Sequence, residues 1–302
     1  MAITINRQAT WNKVGTDIRK ATTAAEALEF SGLNYEVVKV PVYLSNGYKV
    51  PGAFATKKKG LNDTFGIVGS DYTVVQNSEA FSFIDGIIPE GLTFEKAGET
   101  KKMNYIIASL PSQYILKDEF KPYIIFQNSH SGNSSLRVAI CPLRIVCQNQ
   151  FSRAFRTAEN SISLRHTNTI KGRMAEAQEV LKFSASYMDT FHKEALEMAN
   201  IKLSDSQVFN VIDEYFVVDE EATDRKANNI EEKRNIFLNA YNSEDNQNFK
   251  GTAWGMVNAF SDYITHLNPG RNTDTAATRK FIKVTLKNNY MEQFINLVMA
   301  KA

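Results

Sequence analysis

Between Arg137 and Arg173 the sequence concentrates groups that can hold a polyanion: Arg137, Arg144, Arg153, Arg156, Arg165, Lys171 and Arg173, opposed only by Glu159. Phe151 and Phe155 lie among them, with Gln148, Asn149, Gln150, Asn160, His166 and Asn168. A guanidinium presents a planar fork of N–H donors to phosphate oxygens, and an aromatic face stacks an unpaired base. Basic and aromatic residues interleaved at one strand–helix junction therefore suit single-stranded nucleic acid. A plainer account of the same residues puts Phe151 and Phe155, four apart on a helix, in the core and pairs the arginines with acidic residues further along. Tyr72, ahead of Gln76 and Asn77, is a second stacking candidate. Its plainer account is a strand-end aromatic before a helix cap.

Bond-making chemistry has weaker support. The chain has no phosphate-binding loop of the Gly-x-x-x-x-Gly-Lys-Ser/Thr type, no Gly-x-Gly-x-x-Gly and no Gly-x-Ser-x-Gly, so no cofactor is implied. Its four histidines, His130, His166, His192 and His266, are far apart, and Cys141 and Cys147 have no second close pair. Metal ligation at short paired spacing is therefore not expected. A Cys147 nucleophile with His166 as base and Arg144 lowering the thiol pKa is conceivable. But Pro-Leu-Arg-Ile-Val-Cys reads as a strand, where a cysteine packs as a small hydrophobe. The expectation is a binding protein rather than an enzyme.

Net charge is only +2, but its distribution is uneven. Residues 111–173 carry nine Lys or Arg against three Asp or Glu, and residues 174–245 carry seven against sixteen. That asymmetry fits a polyanion-binding surface or a self-complementary interface. No basic-then-apolar leader opens the sequence, and no apolar run approaches the ~18 residues of a membrane span. With two cysteines, both expected free, the expected setting is a reduced cytoplasm without membrane contact.

The elements that must position these residues fall into two groups. Residues 16–30 read as a helix stopped by Gly32. Tyr35–Leu44 and Lys49–Thr56 read as strands joined at Asn46-Gly47, a pair suited to a tight hairpin turn. Phe65–Gly69 and Tyr72–Val75 read as strand, and a helix with Phe81, Ile84, Ile87 and Ile88 follows, capped at Asn77 and ended by Pro89 and Gly91. Strands are expected at Leu92–Ala97, Asn104–Leu110, Tyr123–Asn128 and Leu136–Val146, with Pro142 marking an edge, bulge or break. Helical spacing dominates from there: Lys171–Asn200, the stretch after Leu203, 228–241, Thr252–Leu267 and a kinked 275–302. Strands before helices predict an α+β fold. A mostly antiparallel, sheet-rich core with packed helices spans 1–150, and a helical region spans 151–302.

Several segments resemble a phage- and plasmid-borne family, domain-of-unknown-function family nine-three-two. They are Trp11–Gly15, Ala24–Leu28, Gly32–Val37, Gly66–Asn77 with Ala80-Phe81, Pro142–Asn149, Leu164–Thr167, Gly251–Gly255 and Asn258-Ala259. The chain departs from that pattern at Gln150-Phe151, where the family often has Thr-Leu, and at Asn62-Asp63, where an Arg-x-Asp-like element is usual. The family name implies no activity. The order of three strands then a helix is similar to the core of Rad-fifty-two-like single-strand annealing proteins, and that likeness implies ATP-independent annealing in recombination.

Two functions are expected from different classes. In the first, the basic junction binds single-stranded DNA through the seven cations, with Phe151 or Tyr72 stacking bases and acidic helices joining copies head to tail as a homo-oligomer. In the second, the acidic helices bind a host protein such as a defence factor.

Overall fold

The computed structural model describes residues 9–100, 103–132, 136–146, 149–150, 161–164, 170–267, 273–286 and 290–302. A 3-10 turn at Thr10–Lys13 precedes β1 (Thr16–Asp17) and α1 (Ala24–Phe30). The helix expected over 16–30 is thus shorter. Thr16 and Asp17 pair with Ala97 and Lys96, and Thr23 starts the helix by accepting the Glu26 amide on its hydroxyl.

Next come β2 (Val37–Tyr43), β3 (Lys49–Lys58) and β4 (Thr64–Val68), an antiparallel sheet of their own. The hairpin turns where Asn-Gly predicts it, but through a wider loop, with Tyr43 paired to Lys49: Gly47 is left-handed with φ of 81° and Asn46 is not, and Asn46 Oδ1 accepts the Tyr48 amide. The strand expected at Tyr72–Val75 is absent. Side chains satisfy that segment instead, with Lys39 Nζ donating to the carbonyls of Ser70 and Tyr72 at 2.6 and 2.9 Å. Then α2 (Asn77–Phe81) begins one residue after Gln76, whose amide donates to Glu79 Oε2 and whose carbonyl accepts the Glu79 amide. The cap is therefore Gln76, and Asn77 is buried. The apolar stripe continues through 3-10 turns to Gly91.

The large sheet contains β5 (Thr93–Glu99), β6 (Asn104–Ser109), β7 (Gln113–Ile115), β8 (Asp118–Asn128), β9 (Leu136–Arg144), β10 (Asn149–Gln150) and β11 (Ser161–Leu164). Its order is β1-β5-β6-β8-β9-β10, with β7 beside β8 and β11 beside β9, and every pairing is antiparallel. Pro142 faces Pro122 across β8 and β9. Neither ring nitrogen can donate, so the two prolines fit only a non-hydrogen-bonded pair. On its other side Pro142 meets the gap between β11, whose first residue Ser161 lies opposite Ala139, and β10, whose last residue Gln150 lies opposite Leu143. The break expected at this proline is in the neighbouring ladder rather than in β9.

Alternate residues of the central strands go to opposite faces, and both faces are covered. This explains runs that are apolar throughout rather than alternating. Ile106, Phe120, Ile124, Phe126, Leu136, Val138 and Ile140 face the main core. Tyr105, Ile107, Tyr123, Ile125, Ala139, Cys141 and Leu143 face a second cluster roofed by Ala9, Trp11, Val14 and Phe281.

The helices are α3 (Ile170–Asn200), α4 (Asp205–Tyr215), α5 (Asp224–Tyr241), α6 (Ala253–Asp262), α7 (Asp274–Phe281) and α8 (Tyr290–Lys301). α3 buries Ala177, Val180, Tyr187, Met188, Phe191, Ala195 and Met198, a helical period, against the main core. Each large apolar chain so buried contributes about 1.5–3 kcal/mol. Phe191 links the halves, its ring 5.1 Å from Phe120 of β8 and 5.9 Å from Trp254 of α6. The fold is α+β, with antiparallel sheets first and helices after. The boundary expected at residue 150 falls inside the large sheet, because β11 pairs with β9. Among the described residues no helix is long and apolar enough to cross a membrane.

Candidate nucleic-acid interface

Of the residues singled out for phosphate contact, Arg153, Arg156 and Arg165 lie outside the described residues, as do Phe151, Cys147 and His166. Arg144 requires a correction. It is 3% exposed, and its Nε and Nη2 donate to Asp118 Oδ2 at 2.9 and 2.8 Å. Nη2 also donates to the Asp245 carbonyl at 2.9 Å. So placed, it ties the sheet to the 3-10 turn Glu244–Phe249 and is not presented to a phosphate. Burial raises the Asp118 pKa, and the opposing pull of Arg144 is the smaller effect. Tyr72 is half-buried rather than an open platform.

Arg137 and Lys171 are exposed and Arg173 is half-exposed. Register places Arg137 near the end of the sheet where β8 runs out and β9 begins, opposite Gln127 and Ser163. Its Nη2 donates to Ser161 Oγ at 3.4 Å. α3 starts six residues after β11, whose last residue, Leu164, pairs with Leu136 at that same end.

The small sheet is fixed to this end by a buried polar joint. Asn77 Oδ1 accepts from Asn104 Nδ2 and Asn128 Nδ2 at 3.0 Å each and bonds His130 Nε2 at 3.1 Å. Asn77 Nδ2 donates to the Leu33 carbonyl at 2.9 Å. That leaves His130 Nε2 as the donor, hence protonated, and Nδ1 as a buried lone pair without a partner. Burial lowers the His130 pKa to about 4, with the Glu99 charge opposing. Tyr35 reaches both Glu99 Oε2 and Asn104 Oδ1 at 3.0 Å, and burial raises its pKa. From the small sheet, Thr56 Oγ1 donates to the His130 carbonyl at 2.6 Å, and Lys58 bridges to Glu99 at 2.7 Å over the Tyr35 ring.

The opposite face of the small sheet is partly exposed, although Ala55 on it is buried. Cross-strand rows place Val40, Ala55 and Ile67 side by side and Val38 beside Lys57. Ile67 is 61% exposed, and at the hairpin tip Tyr43 and Tyr48 are 59% and 61% exposed. Lys39 and Lys59 are engaged by the Ser70 and Tyr72 carbonyls and by Glu36. Lys49 and Lys57 have no ion pair among the described residues. Sequence reading missed this surface because it treated these strands as scaffold. The available signal was five lysines against two acids between Glu36 and Val68, with tyrosines flanking the turn.

No curated protein matches the chain, and no solved structure does. Trp11–Gly15 and Gly32–Val37, which helped carry the resemblance, precede the stretch matched by a family, whereas the Gln76-Asn77 and Pro142–Asn149 blocks fall within it. Residues 64–285, from the first residue of β4 into the π-helical turn after α7, match the family described as Domain of unknown function (DUF932), and the chain belongs to it.

Proposed function

We propose that the protein binds single-stranded DNA on the outer face of the small sheet and, without ATP, holds it for annealing to a complementary strand. The observation that carries this reading is the hairpin tip, where exposed Tyr43 and Tyr48 stand beside Lys49, with half-buried Lys57 eight residues further along β3 on the outer face. Tyrosine faces stack bases of any sequence, and lysines without carboxylate partners attract phosphates. Arg137 and Lys171, together with Arg173, extend the basic surface at the same end of the large sheet. The interface is thus moved from the strand–helix junction toward the hairpin. The annealing step draws on the likeness of strand order to Rad-fifty-two-like proteins, a fold-level analogy. The acidic residues of α4 (Asp205, Asp213 and Glu214) and of the link at 219–221 offer the complementary charge for head-to-tail assembly of copies along a strand.

The test is fluorescence anisotropy with labelled oligonucleotides across a salt series. Tyr43→Ala/Tyr48→Ala is expected to weaken binding by about 1–3 kcal/mol per lost stack. Lys49→Ala/Lys57→Ala is expected to flatten the log–log salt slope by about 1.4, at roughly 0.7 per phosphate contact for a single strand. Wild-type protein that fails to bind oligonucleotide, or variants that bind like wild type, would refute the assignment. A stoichiometric, nuclease-insensitive host protein in place of DNA would replace it.

A further inference from the structure

A cleft with a different character opens on the second face of the large sheet. Ala9, Thr10, Lys13, Thr265, His266, Ala277 and Lys280 line it, and none is acidic. Beneath it is a buried polar hub centred on Gln150, whose side chain is fully covered. Gln150 Oε1 accepts the Thr10 amide at 2.7 Å, its Nε2 donates to Thr285 Oγ1 at 3.0 Å, and its carbonyl accepts Ser261 Oγ at 3.0 Å. The Gln150 amide donates to Thr265 Oγ1 at 3.3 Å. Thr265 is 3% exposed, and this is its one hydrogen bond among the described residues. Its hydroxyl proton therefore remains to be donated at the cleft.

Both helical segments that frame the hub turn π-helical there, over Tyr263–Leu267 and Ile282–Leu286. Such turns depart from regular helix at sites that need a side chain aimed differently. Thr265 and His266 belong to the first of them, and Thr285 of the hub to the second. Two lysines directed to one cleft without a carboxylate among its described lining residues repel each other, an arrangement that needs an anion to become favourable. Burial and the charge of Lys13 lower the Lys280 pKa, in keeping with that repulsion. The free volume, about 60 Å³, is several times the ~10–15 Å³ one water requires, enough for a five-atom oxyanion.

We propose that this cleft binds a phosphate group, held by Lys13, Lys280 and the Thr265 hydroxyl. The site is independent of the DNA reading. The hub contacts Cys141 and pairs Gln150 with Leu143, whereas Arg137 lies six residues earlier on β9, or ~20 Å along the strand. A phosphate there comes either from a small phosphorylated molecule or from a nucleic-acid backbone.

The experiment is calorimetric titration of the full chain with inorganic phosphate at constant ionic strength, against a chloride control. Wild type is expected to bind, and Lys13→Gln/Lys280→Gln to lose more than about tenfold in affinity, the cost of two charge-assisted hydrogen bonds. That variant removes a repulsion and is expected to keep the wild-type circular dichroism and melting. Lys49→Gln/Lys57→Gln, on the small sheet, is expected to bind phosphate as wild type does. Displacement of phosphate by an oligonucleotide assigns the group to nucleic acid, and displacement only by a phosphate monoester assigns it to a small molecule. No phosphate binding by wild type, or equal binding by the cleft variant, overturns the proposal.

Discussion

Lowering the pH from 7 to 5 is expected to destabilise the protein through His130 by about 2 kcal/mol. The native imidazole titrates at about 4 against an ordinary 6.5. The cause is geometric: Nε2–H is committed to Asn77, and a proton added at Nδ1 would be buried with no acceptor. Glu99 acts in the other direction but is held by Lys58 and Tyr35. Because the folded pKa is depressed, the unfolded chain takes up the proton first as pH falls. The contribution to stability is intact above about pH 7 and is lost between 6.5 and 4. At 1.36 kcal/mol per unit, the linkage integral amounts to about 2 kcal/mol by pH 5 and about 3 by pH 4. Urea denaturation of wild type and His130→Gln, in parallel from pH 7.5 to 4.5, isolates the effect, since other carboxylates and histidines cancel in the difference. The difference curve should slope only below pH 7. A flat difference, or a histidine resonance of His130 titrating between 6 and 7, would refute the reasoning.

Two further outcomes follow from buried contacts. Arg144→Ala is expected to cost about 3–5 kcal/mol in urea denaturation, because it strands Asp118 in the interior, whereas Arg144→Met/Asp118→Leu should regain most of that loss. Gly15→Ala should destabilise far more than Gly32→Ala, although both glycines have positive φ, 71° and 68°. A methyl at Gly15 would come within 2.6 Å of the Ala97 carbonyl oxygen and 2.8 Å of the Tyr105 hydroxyl, while at Gly32 it meets open space and only the ~1–2 kcal/mol backbone term applies. Equal melting temperatures for the two variants would contradict this.

Local signals were legible in the sequence wherever one residue dictates a backbone state. The Asn46-Gly47 turn and the Ser204 capping box before α4 form as their chemistry requires. So does the period of α3, whose buried side comes from its spacing alone. Non-local matters were not legible. Thr73-Val74-Val75 has strand composition, yet no neighbouring strand takes it, because Gln76 itself bonds the Val37 amide and carbonyl at 2.9 Å each and so occupies the edge of β2. Likewise, nothing local distinguishes Arg144 from Arg137. The difference is register: Arg144 lies opposite Phe120 beside the approaching Glu244–Phe249 turn, and Arg137 at an uncovered sheet end. Charge tallies read both as polyanion contacts, since a tally does not contain the carboxylate that arrives from another strand.

The residues that carried the family resemblance share a physical property that bears on where function should be sought. Gln76 seals a strand edge, Asn77 joins β6 and β8 to the segment before β2, and Arg144 ties the sheet to the Glu244–Phe249 turn. Thr252 caps α6 through the Gly255 amide, and a Cβ at Gly255 would collide with the Phe249 carbonyl. Trp254 fills the core between Phe120 and Phe191. All but the half-buried Gln76 are inside; Gln76, Asn77, Arg144 and Trp254 connect elements distant in sequence, and Thr252 and Gly255 fix the local turn into α6, which accounts for their residue types without any ligand. A surface that meets DNA faces the opposite demand: exposed rings and cations without carboxylate partners. The hairpin tip meets that demand with residues that precede the matched stretch, so DNA binding there would be a property of this chain's β2 and β3 laid against the family's β4. Exchanging residues 43–49 for a polar turn of equal length is then expected to abolish oligonucleotide binding while leaving melting unchanged. Arg144→Ala should lower melting while leaving affinity per folded molecule intact. If both substitutions instead moved affinity and melting together, the separation of scaffold from surface would be wrong.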